Sequence, residues 1–160
     1  MKLEQLGGGT LFLFISIADP EANILSVDLP GGSFGGGYPE WKIPLYQSFA
    51  KGGQKIKLLR ADSHNPKTLE LVKTASDHRM IDFLFIDGDH TYEGVKRDFN
   101  MYSSLVKEGG IIALHDIVEH PPETGCKVNK FWNEIKYDYE YSEIIEDIKQ
   151  NWAGIGVIYL

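Results

Sequence analysis

The sequence contains one cysteine, Cys126, which excludes an internal disulfide and suits a reducing compartment. It also lacks a membrane-spanning segment, because the apolar run at residues 11–18 is too short to cross a bilayer. That run has neither the basic flank nor the cleavage site of a signal peptide. We therefore expect a cytoplasmic protein with no membrane partner, in which Cys126 is a half-buried thiol.

Basic residues are scarce as well. The chain has 16 Lys and Arg against 23 Asp and Glu, a formal net charge of -7. No basic patch is present to neutralise the phosphates of a nucleic acid, so we expect no such partner. With 42% hydrophobic and 24% charged residues, the 160 positions are typical of a single globular domain spanning residues 1–160.

The segment at residues 81–116 carries the clearest secondary-structure pattern. Apolar runs at residues 83–86 and 111–114 flank residues 92–106, whose apolar positions recur with the helical period. Thr91 is predicted to cap this helix, and Gly109-Gly110 to end it. Strand, helix and strand in this order predict a βαβ unit, whose parallel strands end at the same edge of the sheet.

The rest of the chain continues this alternation. We predict an α/β fold with a mostly parallel sheet, a shortened first strand and an antiparallel C-terminal strand pair. The predicted helices cover residues 10–18, 44–50, 66–74 and 128–136, and the predicted strands cover residues 2–6, 24–27, 57–60, 142–148 and 154–160.

Four of the predicted strands are followed within two residues by an aspartate: Asp28, Asp62, Asp87 and Asp116. A single carboxylate in such a position is most often a solvated loop residue. In an open parallel sheet, however, ligands bind outside the carboxyl ends of the strands. Four aspartates along that edge therefore indicate a binding site.

The first two of these strand ends suggest a nucleoside ligand. Gly8 and Gly9 precede a predicted helix, where backbone N–H groups meet an anionic or polar ligand. Asp28 follows them at about 20 residues, the spacing at which an acid binds a ribose. Asp62 and Ser63 follow the next strand, within reach of an adenine ring. The alternatives are a simple tight turn at the glycines and a turn-forming role for Asp28.

The last two strand ends suggest a metal site. Asp87, His115 and Asp116 offer two carboxylates and an imidazole, donors that suit a divalent cation. His90 is the natural proton acceptor, because imidazole titrates near neutrality. The alternatives are carboxylates bound to loop amides and a histidine that caps a helix or packs in the core. Successive strand residues point opposite ways, so His115 and Asp116 converge only if the strand has ended.

Four stretches carry a resemblance to a known family: GGTLFLF at residues 8–14, SVDLPGG at 26–32, FIDGDHTYEGVKRDF at 85–99 and GGIIALHD at 109–116. They resemble class I S-adenosylmethionine-dependent methyltransferases, and most closely the metal-dependent O-methyltransferases of the cephalosporin-hydroxylase-like and macrolide-sugar type. The resemblance covers nearly the whole chain and implies a Rossmann-like class I methyltransferase sheet. It also implies methyl transfer from S-adenosylmethionine to a hydroxyl of a small molecule, a sugar or a natural product, with Mg or Mn as the metal.

Position by position, the resemblance makes Asp87 the first metal ligand and His90 the general base. His115 stands where these methyltransferases have an acidic ligand, and Asp116 matches the acid after it. The resemblance assigns the cofactor to Gly8 and Gly9 at its methionine and ribose portion, Asp28 at its ribose hydroxyls, and Asp62 with Ser63 at its adenine.

The chain departs from this family at its start. Members have a full first strand reading acid-x-G, whereas this sequence has only Glu4 near the glycines. An unpaired strand edge invites pairing with another chain, so we expect a homo-oligomer. The glycine-rich loop at residues 30–42, with Phe34, Tyr38 and Trp41, is the expected lid and acceptor wall.

Other functions fit parts of the pattern. Asp87, Gly88 and Asp89 have the Asp-x-Asp form of a metal-dependent transferase that binds a nucleotide sugar. His90, His115 and a carboxylate match the facial triad of an iron oxygenase. The shortened first strand also suits a degenerate methyltransferase-fold protein that binds without catalysis.

Overall fold

The structure of the chain is a computed structural model that describes residues 2–3, 8–31, 37–147 and 149–160. The chain forms two compact units, Met1–Arg79 and Met80–Leu160, and the expected single-domain organisation stays a prediction. Glu4, Phe34 and the predicted strand positions at residues 4–6 and 148 lie outside the described residues. None of the described helices is long and apolar enough to cross a membrane.

The first unit alternates strands and helices. Strand β2 lies between β1 and β3, and all three strands are parallel. Leu11 and Ile15 on α1 pack with Tyr38 and Tyr46 in a buried cluster. The elements of this unit are β1 (Lys2–Leu3), α1 (Gly9–Ile17), β2 (Asn23–Asp28), α2 (Ile43–Gln47), β3 (Lys55–Arg60) and α3 (Pro66–Ala75).

The second unit contains the predicted βαβ unit and the C-terminal strands. Its elements are β4 (Ile81–Ile86), α4 (Tyr92–Tyr102), β5 (Val106–His115), α5 (Val128–Ile135), β6 (Glu140–Ile144) and β7 (Ile155–Tyr159). Strands β4 and β5 are parallel, and β7 runs antiparallel to both β5 and β6. This combination of parallel strands and an antiparallel C-terminal pair confirms the predicted α/β fold class.

The apolar faces of α4 and α5 meet in the core of the second unit. Val95, Phe99 and Tyr102 on α4 are buried, as are Phe131 and Trp132 on α5. The rings of Phe99 and Phe131 pack edge to face with centroids 5.5 Å apart. The apolar residues that recur with the helical period are thus the ones that fix α4 against α5.

Helix α4 ends earlier than the sequence pattern predicts. It ends at Tyr102, and after a 3-10 turn β5 already begins at Val106. The prediction that Gly109 and Gly110 end the helix is wrong. The Gly109 N–H donates to the Leu160 carbonyl at 2.7 Å, and the Leu160 N–H donates to the Gly110 carbonyl at 3.1 Å. Backbone pairing with the C-terminal residue therefore overrides the local helical period.

Strand β6 also differs from its prediction. It covers Glu140–Ile144 rather than residues 142–148. Its length follows from its partner, because Glu140 pairs with Tyr159 and Ile144 with Ile155 at the two ends of β7.

We expect Gly156→Ala to destabilise the second unit. A Cβ at this position of β7 meets ring carbons of Trp132 at 2.7 Å, and that indole is 1% exposed. Overpacking of this kind costs about 1–3 kcal/mol, so the free energy of unfolding in urea should fall by that amount. Gly9→Ala is the control, since a Cβ there meets nothing within 4 Å. Equal stability of Gly156→Ala and the unmodified chain would contradict the packing described.

Candidate active site

Polar side chains gather where β4 and β5 end. Asp87 directly follows β4, His115 is the last residue of β5, and Asp116 comes next. Because Ile86 pairs with Leu114 in the parallel ladder, the two strand ends are adjacent. Nδ1 of His115 lies 3.1 Å from Oδ1 of Asp87 and 3.1 Å from Oδ1 of Asp116. The imidazole of His115 therefore lies between two carboxylates.

The backbone at Asp116 makes this convergence possible. Asp116 has a φ of 63°, in the left-handed region, which costs a residue with a side chain about 1–3 kcal/mol. The extended strand has ended at His115, so the carboxylate of Asp116 returns to the same side as the imidazole. Val118 N–H donates to the Ala153 carbonyl at 3.1 Å and supports the turn. The side chains of these two successive residues thus converge, which they can do because the strand has ended.

His90 joins the group from the loop between β4 and α4. Its Nδ1 lies 3.0 Å from Oδ2 of Asp116, and its Nε2 lies 3.7 Å from Oδ1 of Asp87. Thr91 caps α4 as predicted, its hydroxyl oxygen accepting the Gly94 N–H at 3.0 Å. A hydrogen bond from the Nδ1–H group of His90 to Asp116 would leave Nε2 as the basic nitrogen of the ring.

Two further side chains, those of His120 and Cys126, lie beside this group, and the sequence patterns did not predict that either would. Nε2 of His120 lies 3.2 Å from Oδ1 of Asp116, accepts the Ala153 N–H at 3.1 Å, and its ring stacks on Trp152 at 4.7 Å. Cys126 is buried rather than half-buried, and it lies near His90 and Asp116. Both residues belong to the loop that follows Asp116. Their place shortly after a strand-end aspartate is the only sequence signal that could have identified them.

The donor atoms of Asp87, His115 and Asp116 fit a divalent metal. They lie within 4.8 Å of one another. His115 Nδ1 and Asp116 Oδ1 are buried, and neither makes an aligned hydrogen bond to a described residue. Buried polar atoms normally have a partner, and a cation between these donors would supply one. Two carboxylate oxygens and an imidazole nitrogen suit Mn, Fe, Co or Zn better than Mg.

Neighbouring charged side chains together shift the pKa values of His115 and Asp116 more than burial does. Burial lowers the pKa of His115, but the contacts with Asp116 and Asp87 outweigh burial and raise it to about 10. Burial raises the pKa of Asp116, but His115 and His90 hold it well below its usual range. Without a metal, the site therefore contains an imidazolium between two carboxylates. A metal would have to displace the proton of His115.

In the first unit, the predicted glycines begin α1. Gly8 has a φ of 82°, and a Cβ at this position would collide with the ring of Tyr46, so only glycine fits. Gly9 has open space around it. Among the residues that the structure describes, no side chain caps the first turn of α1, which leaves its N–H groups suited to a ligand.

The predicted aspartates of the first unit differ in their surroundings. Asp28 is 4% exposed at the end of β2. Burial, followed by the charge of Asp28, raises the pKa of Tyr38 to about 12, while Arg60 opposes this rise. Asp62 is exposed after β3, and its carboxylate accepts the His64 N–H at 2.9 Å, a turn-forming role. Their assignment to ribose and adenine stays a prediction, as does that of Ser63.

The aromatic residues expected to form a lid divide in the same way. Tyr38 is 2% exposed and belongs to the core of the first unit, whereas Trp41 is 71% exposed. Phe34 lies outside the described residues. Of the two described residues, Trp41 alone has the exposure of an acceptor wall.

The surroundings of Asp89 do not support the hypothesis that Asp87, Gly88 and Asp89 form a metal-binding Asp-x-Asp motif. Its Oδ1 accepts the Thr91 N–H at 2.9 Å, and its carboxylate lies against Gly94. Asp89 therefore forms the start of α4. Among the described residues, it belongs to neither group of potential metal ligands.

Comparison with known proteins gives a family match. A family model described as methyltransferase domain matches residues 5–117. An uncharacterized protein of Acanthamoeba polyphaga mimivirus is 33% identical over 86 residues, which are 52% of this chain and 38% of the viral protein.

Several solved structures have a similar fold. The O-methyltransferase from Bacillus cereus in complex with SAH has a TM-score of 0.64 at 14% identity, covering 99% of this chain and 72% of that one. MycE methyltransferase from the mycinamycin biosynthetic pathway, with Mg and SAH, has a TM-score of 0.54 at 15% identity, covering 91% and 47%. MycE with Mg, SAH and mycinamycin VI has a TM-score of 0.54 at 13% identity, covering 92% and 47%. The chain spans less than half the length of MycE and of the viral relative.

We expect His115 to make the stability of the metal-free protein depend on pH. Its pKa is about 10 in the folded chain against an ordinary 6.5, so its contribution is full below pH 6.5 and is lost as pH rises through 10. In EDTA, the free energy of unfolding of the unmodified chain should exceed that of His115→Gln most at low pH. His78→Asn, at an exposed histidine of the first unit, is the control. A difference that stays constant from pH 6.5 to above pH 10 would contradict the ion pairs.

Proposed function

The chain belongs to the methyltransferase domain family, and from this premise we propose that it transfers a methyl group from S-adenosylmethionine to a small-molecule hydroxyl, with a divalent metal. The proposal rests on one observation: the imidazole of His90, a candidate base, lies 3.0 Å from the carboxylate of Asp116, and Asp116 is one of three potential metal ligands that lie together. MycE, which is similar in fold, was solved with Mg, SAH and mycinamycin VI. This supports a hydroxyl of a sugar or another natural product as the acceptor class.

Asp87, His115 and Asp116 would hold the metal, with Mn or Mg as the proposed ion. When bound, the metal supplies Lewis acidity that lowers the pKa of the acceptor hydroxyl. His115 would have to give up its proton to hold the ion, because only a neutral imidazole is a ligand. The carboxylates of Asp87 and Asp116 would balance the positive charge of the ion.

His90 would take the proton of the acceptor hydroxyl. Its Nδ1 lies against Oδ2 of Asp116 at 3.0 Å, which holds the ring and leaves Nε2 as the base. Nε2 of His90 would accept the proton as the O–H bond breaks, which leaves the substrate oxygen nucleophilic. S-adenosylmethionine, when bound, would supply the methyl group that this oxygen receives. Asp116 stabilises the imidazolium that results.

The first unit would bind S-adenosylmethionine. The uncapped N–H groups at Gly8 and Gly9 would face its methionine and ribose portion. Asp28 would accept hydrogen bonds from the ribose hydroxyls, and Asp62 with Ser63 would contact the adenine. The hydroxyl of Tyr38 is buried and makes no hydrogen bond to a described residue, so it offers a further polar atom.

Cofactor binding is expected to raise the melting temperature. A ligand at about 100 times its dissociation constant adds about 2.7 kcal/mol to the folded state. For a chain of this size, S-adenosylmethionine or S-adenosylhomocysteine should raise the midpoint by about 5–10 °C. Melts with and without Mg²⁺ or Mn²⁺ separate the metal effect, and Asp28→Asn should reduce the cofactor shift. A cooperatively melting sample with no shift would contradict the proposal and favour a protein that has lost catalysis.

Loss of His90 is expected to remove most of the turnover. With an acceptor found in a panel of glycosides, polyketides and phenols, His90→Ala should lower kcat by about 10²–10⁴-fold, the usual contribution of a general base. The shift produced by S-adenosylhomocysteine should persist, because the imidazole acts on the hydroxyl proton. His78→Asn is the histidine control. Full turnover by His90→Ala would remove the base assignment.

A further inference from the structure

Cys126, the single cysteine of the chain, lies beside the candidate active site. Its side chain is 3% exposed. The sulfur, an imidazole nitrogen of His90 and a carboxylate oxygen of Asp116 lie within 4.8 Å of one another. A buried cysteine by itself is usually a small packing residue. Here its neighbours are two other metal-binding side chains.

The loop before α5 holds the thiol in this place. The Cys126 N–H donates to the Thr124 hydroxyl oxygen at 3.2 Å, and that hydroxyl donates to the Pro121 carbonyl at 2.8 Å. On the other side, the Lys127 N–H donates to the His90 carbonyl at 2.7 Å. The loop is thus tied directly to the residue whose imidazole approaches the sulfur. Hydrogen bonds on both sides of Cys126 set its position.

The carboxylate of Asp116 also points to a ligand. It is 5% exposed, and its Oδ1, which lies 3.1 Å from His115 and 3.2 Å from His120, makes no aligned hydrogen bond to a described residue. Asp116 also belongs to two overlapping donor sets. Asp87 and His115 complete the set already described, and His90 and Cys126 complete the other.

We propose that His90, Asp116 and Cys126 form a second metal site, which binds Zn²⁺ and similar thiophilic cations. A cation bound there inhibits the enzyme. Nitrogen, oxygen and sulfur donors are the ligand types of Zn²⁺, whereas Mg²⁺ prefers oxygen. On binding, the thiol proton leaves to solvent as the thiolate forms, and a nitrogen lone pair of His90 goes to the ion. His90 is then no longer available to a substrate hydroxyl. This inhibition rests on the proposed function, but the binding itself does not.

Co²⁺ tests the site through its spectrum. Metal-free protein with one equivalent of Co²⁺ should show a thiolate-to-cobalt charge-transfer band, which Zn²⁺ abolishes and Mg²⁺ does not. His115→Gln, which disables the other donor set, should keep the band, and Cys126→Ser should lose it. Because the chain has no other thiol, the band decides the site even if Cys126→Ser fails to fold. A saturated sample of His115→Gln without the band would overturn the proposal.

Calorimetry and turnover extend the test. In the His115→Gln background, where the other donor set is disabled, Cys126→Ser should weaken Zn²⁺ binding by more than about tenfold, since even residues that only support a metal ligand cost 10–100-fold. Cys126→Ser alone should keep Mn²⁺- or Mg²⁺-supported turnover and need more than about ten times as much Zn²⁺ for inhibition. Unchanged Zn²⁺ affinity would overturn the second site. If no turnover is found with any acceptor, the band and the affinities still decide the metal site, and the proposed function fails separately.

Discussion

The polar cluster of the second unit depends on the carboxylate of Asp116. Its two oxygens lie 3.0 Å from His90, 3.1 Å from His115 and 3.2 Å from His120. The carboxylate reaches all three imidazoles because the backbone turns into the left-handed region immediately after β5. A strained backbone of this kind persists where the surroundings stabilise it, and such positions cluster at functional sites.

The topology around this carboxylate explains why several kinds of donor meet there. The parallel pairing of β4 and β5 places Asp87 and His115 side by side, and the capped start of α4 brings in His90. The loop after Asp116 folds back and adds a nitrogen and a sulfur. Two groups of potential metal ligands share this carboxylate. In our proposals, the identity of the bound ion decides whether His90 acts as a base or as a ligand. Charge attracts a cation to the site, and donor type selects which cation stays.

The similar structures separate fold from function. At 13–15% identity, MycE and the Bacillus cereus enzyme share the arrangement of elements with this chain. Folds of this class support many reactions, so the chemistry has to be argued from the side chains at the strand ends. The motif resemblance places an acid where this chain has His115. A nitrogen donor in that position would change both the metal that the site prefers and the protonation of the site without a metal.

Local periodicity by itself determined much of this molecule. It predicted the buried face of α4, the helix that became α5, and the parallel βαβ unit with aspartates at its strand ends, because these depend on residues close together in the chain. The end of α4 at Tyr102 and the positions of His120 and Cys126 were decided only by the tertiary structure. Gly109 pairs with Leu160, His120 with Ala153, and Lys127 with His90, across separations that no sequence window contains. Hydrogen bonds between segments that are distant in the sequence therefore brought His120 and Cys126 to the strand ends.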